Sequence, residues 1–570
     1  VSARKLEIKS QPEETIVEAG EPAVFQVFAE GDGLIYQWQT REPDREDWRD
    51  TQGGEGYETS RLTISETSAK GNNTGYRCRI TDRSGETVYT DTVKLYVLAI
   101  QASPKDQYVK AEDSASFKVS ATGKDLHYSW EYCRASGDEW KKSTAAGHDT
   151  AVLQVPGIPV GHNGFRYRCA VTDAGGNKIY SEDAYLYVMG FTGNPSNQYV
   201  KQGDSAVFKV KASGKGLKYR WIVKLPGEDE WRKSSEEGAD TPVLKLYDLP
   251  TAKNNRRFRC MITDEQGNKM YSEAAALYVL GITANPTSEY VKEGATVYFI
   301  AEATGKGLKY QWQVKLPDED EWKNTGEHGA KTTVLKITDV SVAKNKRQYR
   351  CKVTDEKGNK TYSKAAGVYV LSIKSNPSSQ NIKEKGTVDF KVTATGSGLK
   401  YQWQTRNSSN HGWYNWTGSG NKSKKISVYA STSDHGHQFR CAVTDKVGNT
   451  VYSNAATLYV FGITGNPKDQ SVKAGKKVEF HVSATGRDLK YQWQVKTSSG
   501  GSWKNTSNSG NKTSKLKFEA KTGYNGYYYR CKVTDKLGRV MYSKSAKLTV
   551  KKGSGGGGSG DQYNVITPNF

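Results

Sequence analysis

Tyr349-Arg350-Cys351-Lys352-Val353-Thr354-Asp355 decides the reading of this chain, because a version of it returns six times at a nearly constant interval. The copies carry Cys78, Cys169, Cys260, Cys351, Cys441 and Cys531, spaced 91, 91, 91, 90 and 90 residues apart. Each cysteine is followed by one variable residue, then Val or Ile, then Thr-Asp. A period of this size defines the structural unit before any local pattern is read. It divides the 570 residues into repeats at 1–98, 99–189, 190–280, 281–371, 372–461 and 462–552, each long enough for one modest core.

Within the third repeat, Ser205-Ala206-Val207-Phe208-Lys209-Val210-Lys211-Ala212 alternates apolar and polar residues, the pattern of a half-buried strand. Ser213-Gly214-Lys215-Gly216 turns the chain into a second alternating run, Leu217-Lys218-Tyr219-Arg220-Trp221. After a polar loop and Trp231, two more strands are predicted over Val243–Leu246 and Phe258–Asp264. Glu265-Gln266-Gly267-Asn268 is a glycine-bearing hairpin turn that leads into the closing strands. Short strands with frequent turns and no helical period predict an all-β antiparallel sandwich.

The spacing of the aromatic residues makes that prediction specific. Trp38, Trp130, Trp221, Trp312, Trp403 and Trp493 precede their cysteines by 38 to 40 residues, and Tyr76, Tyr167, Phe258, Tyr349, Phe439 and Tyr529 lie two residues before them. This arrangement resembles the immunoglobulin fold, which implies a buried strand-C tryptophan and a tyrosine corner. Phe258 and Phe439 lack the hydroxyl that such a corner uses. Where the family often has its first cysteine, eleven residues before the tryptophan, this chain has Val27, Val119, Val210, Ala301, Val392 and Val482. The resemblance therefore implies six tandem sandwiches without the inter-sheet disulfide, whose loss typically costs about 2–5 kcal/mol. With its Tyr-Gln-Trp-Gln and Val-Thr-Asp motifs, the variant resembles Ig-like repeats of Gram-positive surface proteins, especially those of gut clostridia.

The joints Val97-Leu98-Ala99-Ile100, Val188-Met189-Gly190-Phe191, Val279-Leu280-Gly281-Ile282, Val370-Leu371-Ser372-Ile373 and Val460-Phe461-Gly462-Ile463 contain no spacer. The last strand of one repeat is expected to run almost directly into the next, with an apolar pair at the seam. A semi-rigid rod on the order of 200 Å long follows from strands of roughly 30 Å per repeat. Residues 553–560 read instead as an engineered Gly/Ser linker, and Asp561–Phe570 as an appended peptide with an unknown partner. Without a Met start, signal peptide or wall-sorting motif, the chain reads as a mature or excised ectodomain. Its expected location is secreted or attached to the cell wall. No run is apolar enough to insert into a bilayer.

The net charge of +22 is unevenly spread. Residues 1–98 hold 12 Lys and Arg against 18 Asp and Glu, whereas residues 462–552 hold 20 against 5. A basic C-terminal end fits contact with a polyanion such as cell wall, and it equally fits a solvated surface that has drifted between copies. Nucleic acid is not expected as a partner, since no recognition motif accompanies the charge. One cysteine per repeat, with Cys133 extra, leaves no disulfide within a domain, so the repeated thiols are expected to be buried and reduced.

Residues that break the repeat are the candidate binding sites. Trp48, Trp140, Trp231, Trp322, Trp413 and Trp503 follow the core tryptophans by ten residues in every copy and read as framework. Trp416 is the odd one. With Tyr414, beside Thr417-Gly418-Ser419-Gly420, it is expected either to stack on a sugar or anchor a protein, or to pack locally. Tyr524, Tyr527 and Tyr528, among lysines of the sixth repeat, form a second candidate surface, here for an acidic partner; the alternative is that they face the core. Cys133, three residues after Trp130, is expected to point outward, either as an exposed thiol open to crosslinking or modification or as a neutral substitution. His411, His435 and His437 lack a matching third ligand, so no metal is predicted. The acidic runs Glu228–Glu230 and Asp318–Glu321 lack calcium-loop spacing and read as solvated hairpin tips.

No nucleophile elbow, phosphate loop or distinctive carboxylate pair is present, so neither catalysis nor a cofactor is expected. The resemblance implies a surface binding protein of the adhesin type for a host protein or glycan. It extends to immunoglobulin-binding superantigens. The alternatives are a passive wall stalk and an accessory region of a glycan-processing enzyme.

Overall fold

The computed structural model describes residues 4–407, 412–497 and 500–552. These form six tandem immunoglobulin-like β-sandwiches, in two compact units divided at residue 281, with 304–307 and 355–359 counted with the first. In the second repeat, the larger sheet runs in the order Gln107–Lys110, Ala184–Gly193, Phe165–Thr172, His127–Cys133 and Trp140–Lys142. Gln107–Lys110 pairs in parallel with Ala184–Gly193, and the remaining neighbours in this order pair antiparallel. The opposing layer is the hairpin-free pair Ala115–Lys118 and Val152–Val155. Its alternation is visible in burial, since Ala115 and Phe117 face the core while Ser116 and Lys118 face solvent.

Pairing register explains the repeated motif. Each core tryptophan lies directly opposite its cysteine, Trp38 with Cys78, Trp130 with Cys169, Trp221 with Cys260, Trp312 with Cys351, Trp403 with Cys441 and Trp493 with Cys531. All twelve side chains are fully buried, and every tryptophan Nε1 donates to a backbone carbonyl 2.9 Å away. The strand-B positions Val27, Val119, Val210, Ala301, Val392 and Val482 are buried too, and all seven cysteines are free thiols. Burial raises the thiol pKa of Cys78, Cys169, Cys260, Cys441 and Cys531 to about 12 and that of Cys351 to about 11. They behave as small apolar residues.

The aromatic residue two places before each cysteine does not act through a hydroxyl. It packs against a strand-B phenylalanine, with centroids 4.5 to 5.1 Å apart from Phe25–Tyr76 through Phe480–Tyr529. Ring stacking accounts for the use of Phe258 and Phe439 at this position. The aspartate that ends each motif, buried in every repeat but the first, closes a turn: Asp355 accepts from the backbone N–H groups of Lys357 and Asn359 and from Asn359 Nδ2, each at 2.9 Å.

Joints are built from shared elements. Val93–Ala102 first pairs with Thr74–Thr81 and Thr15–Glu18 of the first repeat, then with Ser120–Thr122 of the second. Leu98 belongs to the second repeat's core, Met189 to the third's, Leu371 to the fifth's and Phe461 to the sixth's. A hairpin side chain of one repeat also clasps the backbone of the preceding one. In the first unit Asn268 Nδ2 donates to Tyr108 O; in the second, Asn449 Nδ2 donates to Tyr290 O and Arg539 Nη1 to Asn381 O.

Candidate interaction face

The arginine in the opening stretch positions a surface that recurs in every copy. Alternation along that strand turns Tyr349, Cys351 and Val353 inward, so Arg350 emerges on the outer face of the larger sheet. There its guanidinium lies 4.4 Å from the ring of Trp322 and 4.4 Å from that of Tyr362. Arg77 sits between Trp48 and Tyr89, Arg168 between Trp140 and Tyr180, and Arg259 between Trp231 and Tyr271. Arg440 sits between Trp413 and Tyr452, and Arg530 between Trp503 and Tyr542. All twelve separations fall between 4.1 and 4.4 Å. Each cation–π contact of this kind contributes about 0.5–1 kcal/mol at an exposed site. The second tryptophan of each repeat is thus one plate of a stack, and the tyrosine, 44 to 51% exposed, is the other.

Acceptors beside the stack hold the guanidinium in plane. Arg77, Arg350, Arg440 and Arg530 donate Nε to Gln39, Gln313, Gln404 and Gln494 at 2.9 to 3.0 Å. Arg168 donates twice to Glu131. The third repeat has Ile222 in this place, and Arg259 Nε is buried without a partner. Burial lowers the pKa of Arg440 and Arg530, which remain cationic at any physiological pH. Except in the second repeat, where Glu131 neutralises Arg168, the face presents a fixed positive charge between two aromatic rings, a combination of side chains enriched at the energetic centres of protein interfaces.

Among the residues singled out from the sequence, Tyr528 adjoins this face, and none is a member of the stacks themselves. Trp416 is half-buried and packs edge-on against Phe439 in the fifth repeat's core, with centroids 5.4 Å apart; its Nε1 is buried without a hydrogen-bond partner. Tyr414 is exposed on the neighbouring strand Tyr414–Asn415. Tyr524 and Tyr527 pack against the sixth repeat's core, Tyr524 meeting Phe518 edge-on. Tyr528 lies on the outer face under Lys496, which also covers Trp503. These five residues form no single surface.

Cys133 corrects an expectation. It points away from the core, as alternation requires, yet it is fully buried because the turn at Arg134–Gly137 folds over it. Its Sγ donates to Gly137 O and accepts from Arg166 Nη2. His411 lies outside the described residues. His435 Nδ1 accepts from Val460 N, the place filled by Asn72, Asn163, Asn254, Asn345 and Asn525 in other copies. Among the described residues no group of His, Cys, Asp and Glu is arranged to hold a metal. The acidic tips are neutralised locally, with Asp229 paired to Lys224 and Asp320 to Lys315. Residues 553–570, read from the sequence as a linker and an appended peptide, lie outside the described residues.

No protein-family profile and no curated protein matches this sequence. Among solved structures, Sidekick-1 immunoglobulin domains 1–5 are 16% identical, covering 80% of this chain and 99% of that one at a TM-score of 0.22. The eight N-terminal Ig domains of the Down syndrome cell adhesion molecule are 16% identical, covering 96% and 86% at a TM-score of 0.21. Drosophila OTK extracellular domains 3–5 are 16% identical, covering 48% and 97% at a TM-score of 0.22. The Ig-like assignment rests on the pairing and core described above. Among the described residues, no helix is long and apolar enough to cross a membrane.

Proposed function

We propose that this chain is a non-enzymatic, extracellular binding protein of the adhesin type, which meets macromolecular partners through the outer faces of its repeated sandwiches. The observation that carries this reading is the outer-face Trp–Arg–Tyr stack in all six copies, with its tyrosine exposed and its tryptophan and arginine half-buried. A fold needs its core aromatics buried; it does not need an exposed tyrosine clamped with a half-buried tryptophan about a cation. Repetition along one chain also allows several weak contacts to act together, which raises avidity without a new contact. The repeats that carry the stacks differ in net charge, from acidic in the first to strongly basic in the sixth. The copies are thereby matched to different partners, the sixth to an acidic protein or a wall polyanion.

Host proteins, immunoglobulin among them, host glycans and Gram-positive wall polymers are the partner classes to be tested. Fragments carrying one repeat should start before the seam residue, at Val97, Val188, Val370 or Val460, so that the next core keeps its apolar plug. Each fragment would be titrated against immunoglobulin, mucin and purified wall polymer. Saturable binding by particular repeats, lost when the face tyrosine is changed to serine, supports the reading. A uniformly salt-sensitive interaction confined to the fifth and sixth repeats would favour the stalk, whose basic end rests in wall polymer.

A further inference from the structure

The second repeat differs from the third and fourth at one loop cluster, and the difference opens a cavity. In the third repeat Lys253 Nζ lies 2.6 Å from Glu236, and in the fourth Lys344 pairs with Glu327. At the corresponding positions the second repeat has His162 and Ala145, which cannot make that bridge. Tyr132 and Phe165 stand where the third repeat has Val223 and Arg256 and the fourth has Val314 and Arg347. The space left is a cavity of about 660 Å³ lined by Tyr132, Arg134, Ser143, His162, Phe165 and neighbouring loop residues.

Its chemistry is uneven. The rings of Tyr132 and Phe165 are parallel within 6° at 6.0 Å, and His162 stacks on Phe165 at 4.4 Å. His162 Nδ1 is buried without a hydrogen-bond partner. Burial, then the charge of Arg134, lowers the His162 pKa, which keeps the imidazole neutral near pH 7 and able to exchange a hydrogen bond with a ligand. Arg134 is exposed at the rim, forms no ion pair among the described residues, and shares the cavity with no carboxylate. Such a site combines an apolar aromatic wall, one unmet polar atom and one uncompensated cation, and its volume falls within the range typical of small-ligand sites.

We infer that the second repeat binds an aromatic group carrying an anionic substituent, with the ring against Tyr132 and Phe165, a ring hydroxyl on His162 and the anion at Arg134. Such a group has two sources, a free aryl carboxylate or a tyrosine beside an acidic residue in a peptide. The inference is independent of the outer-face stacks, since neither Trp140 nor Tyr180 lines the cavity.

The test uses the full chain, with saturation-transfer NMR and calorimetry. Three probes are compared: 4-hydroxyphenylacetate, its neutral amide, and the peptide acetyl-Tyr-Glu-amide. Transfer to the ring protons of the acid, the peptide or both is expected, and which of them binds identifies the source. Neutralising the anion, or changing Arg134→Gln, should weaken binding about threefold, as for an exposed ion pair. The double change Ala145→Glu with His162→Lys restores the pair used by the third and fourth repeats and should abolish binding. Should that variant melt early, Arg134→Gln at an exposed position still decides the question. Absence of transfer from all three probes at millimolar concentration would overturn the inference, as would undiminished binding by a folded double variant or an amide as tight as the acid.

Discussion

Replacing Phe461 by alanine should unfold the repeat that follows it rather than the one whose strand it ends. Phe461 lies on Ala456–Gly465, a strand that closes the fifth repeat, yet its fully buried side chain belongs to the core that holds Trp493 and Cys531. A Cβ placed on Gly486, in the sixth repeat, would lie 3.1 Å from its ring, a measure of how closely the seam is filled. Truncating a fully buried phenylalanine to alanine typically costs about 3–5 kcal/mol. Hydrogen exchange on the intact chain reads this directly, because amides that open only on unfolding of a unit report that unit's free energy. Protection across Tyr528–Thr534 should fall between about a hundredfold and several thousandfold, while Gln438–Thr444 in the fifth repeat keeps most of its protection. The reverse pattern, with loss in the fifth repeat and an unchanged sixth, would refute the assignment of the seam residue to the following core.

Four further outcomes follow from the same structure. All seven thiols should resist alkylation at pH 8 in the native chain and react in urea, because burial shields them and raises the pKa of the six repeated ones to about 11 or 12. The same shifts set the sign of the alkaline response: an acid whose folded pKa lies above its unfolded value near 9 stabilises the fold below pH 9 and loses that contribution as pH rises towards 12. Melting temperature should therefore decline from pH 9 to 11, and a flat profile would contradict the burial of these groups. Gln313→Ala, which removes the acceptor from Arg350 Nε, should destabilise the fourth repeat by about 1–2 kcal/mol, whereas Ile222→Gln in the third should be neutral or stabilising, both read from denaturant midpoints. Trp416→Ala should cost the fifth repeat on the order of 2 kcal/mol, less than a fully buried tryptophan, and a stability equal to wild type would restore Trp416 as a solvent-facing contact.

Much of the fold was legible because the repeat supplies six readings of one pattern. The tryptophan-to-cysteine spacing and the alternation around them specify which residues share the core, and strand pairing then places Trp312 opposite Cys351 without further information. Alternation says which side of a sheet a residue faces, but not what loop covers that side, and Cys133 was misread for this reason. For Trp416 both alternatives stayed open, since a loop aromatic beside glycines reads the same whether it folds inward or stays out. The outer stack carried an available signal: an arginine one residue before each cysteine, a tyrosine eleven after it, and a tryptophan ten after the core tryptophan. Each was visible separately. Their convergence needed the antiparallel register that lays three distant strands side by side. His435 shows the opposite limit, where a residue type suggestive of metal binding serves as a hydrogen-bond acceptor for Val460 in place of asparagine.

The most direct test of the binding proposal is an affinity measurement with the stacks disarmed. Tyr89, Tyr180, Tyr271, Tyr362, Tyr452 and Tyr542 would each be changed to serine in the full chain, and binding to the partner found with single repeats would be compared with wild type by surface plasmon resonance. The tyrosines are close to half exposed, so the chain should stay folded, with a modest fall in melting temperature from the lost cation–π contacts. A large loss of affinity for that partner is expected; unchanged binding by the folded variant would rule out the stacks as the contact surface.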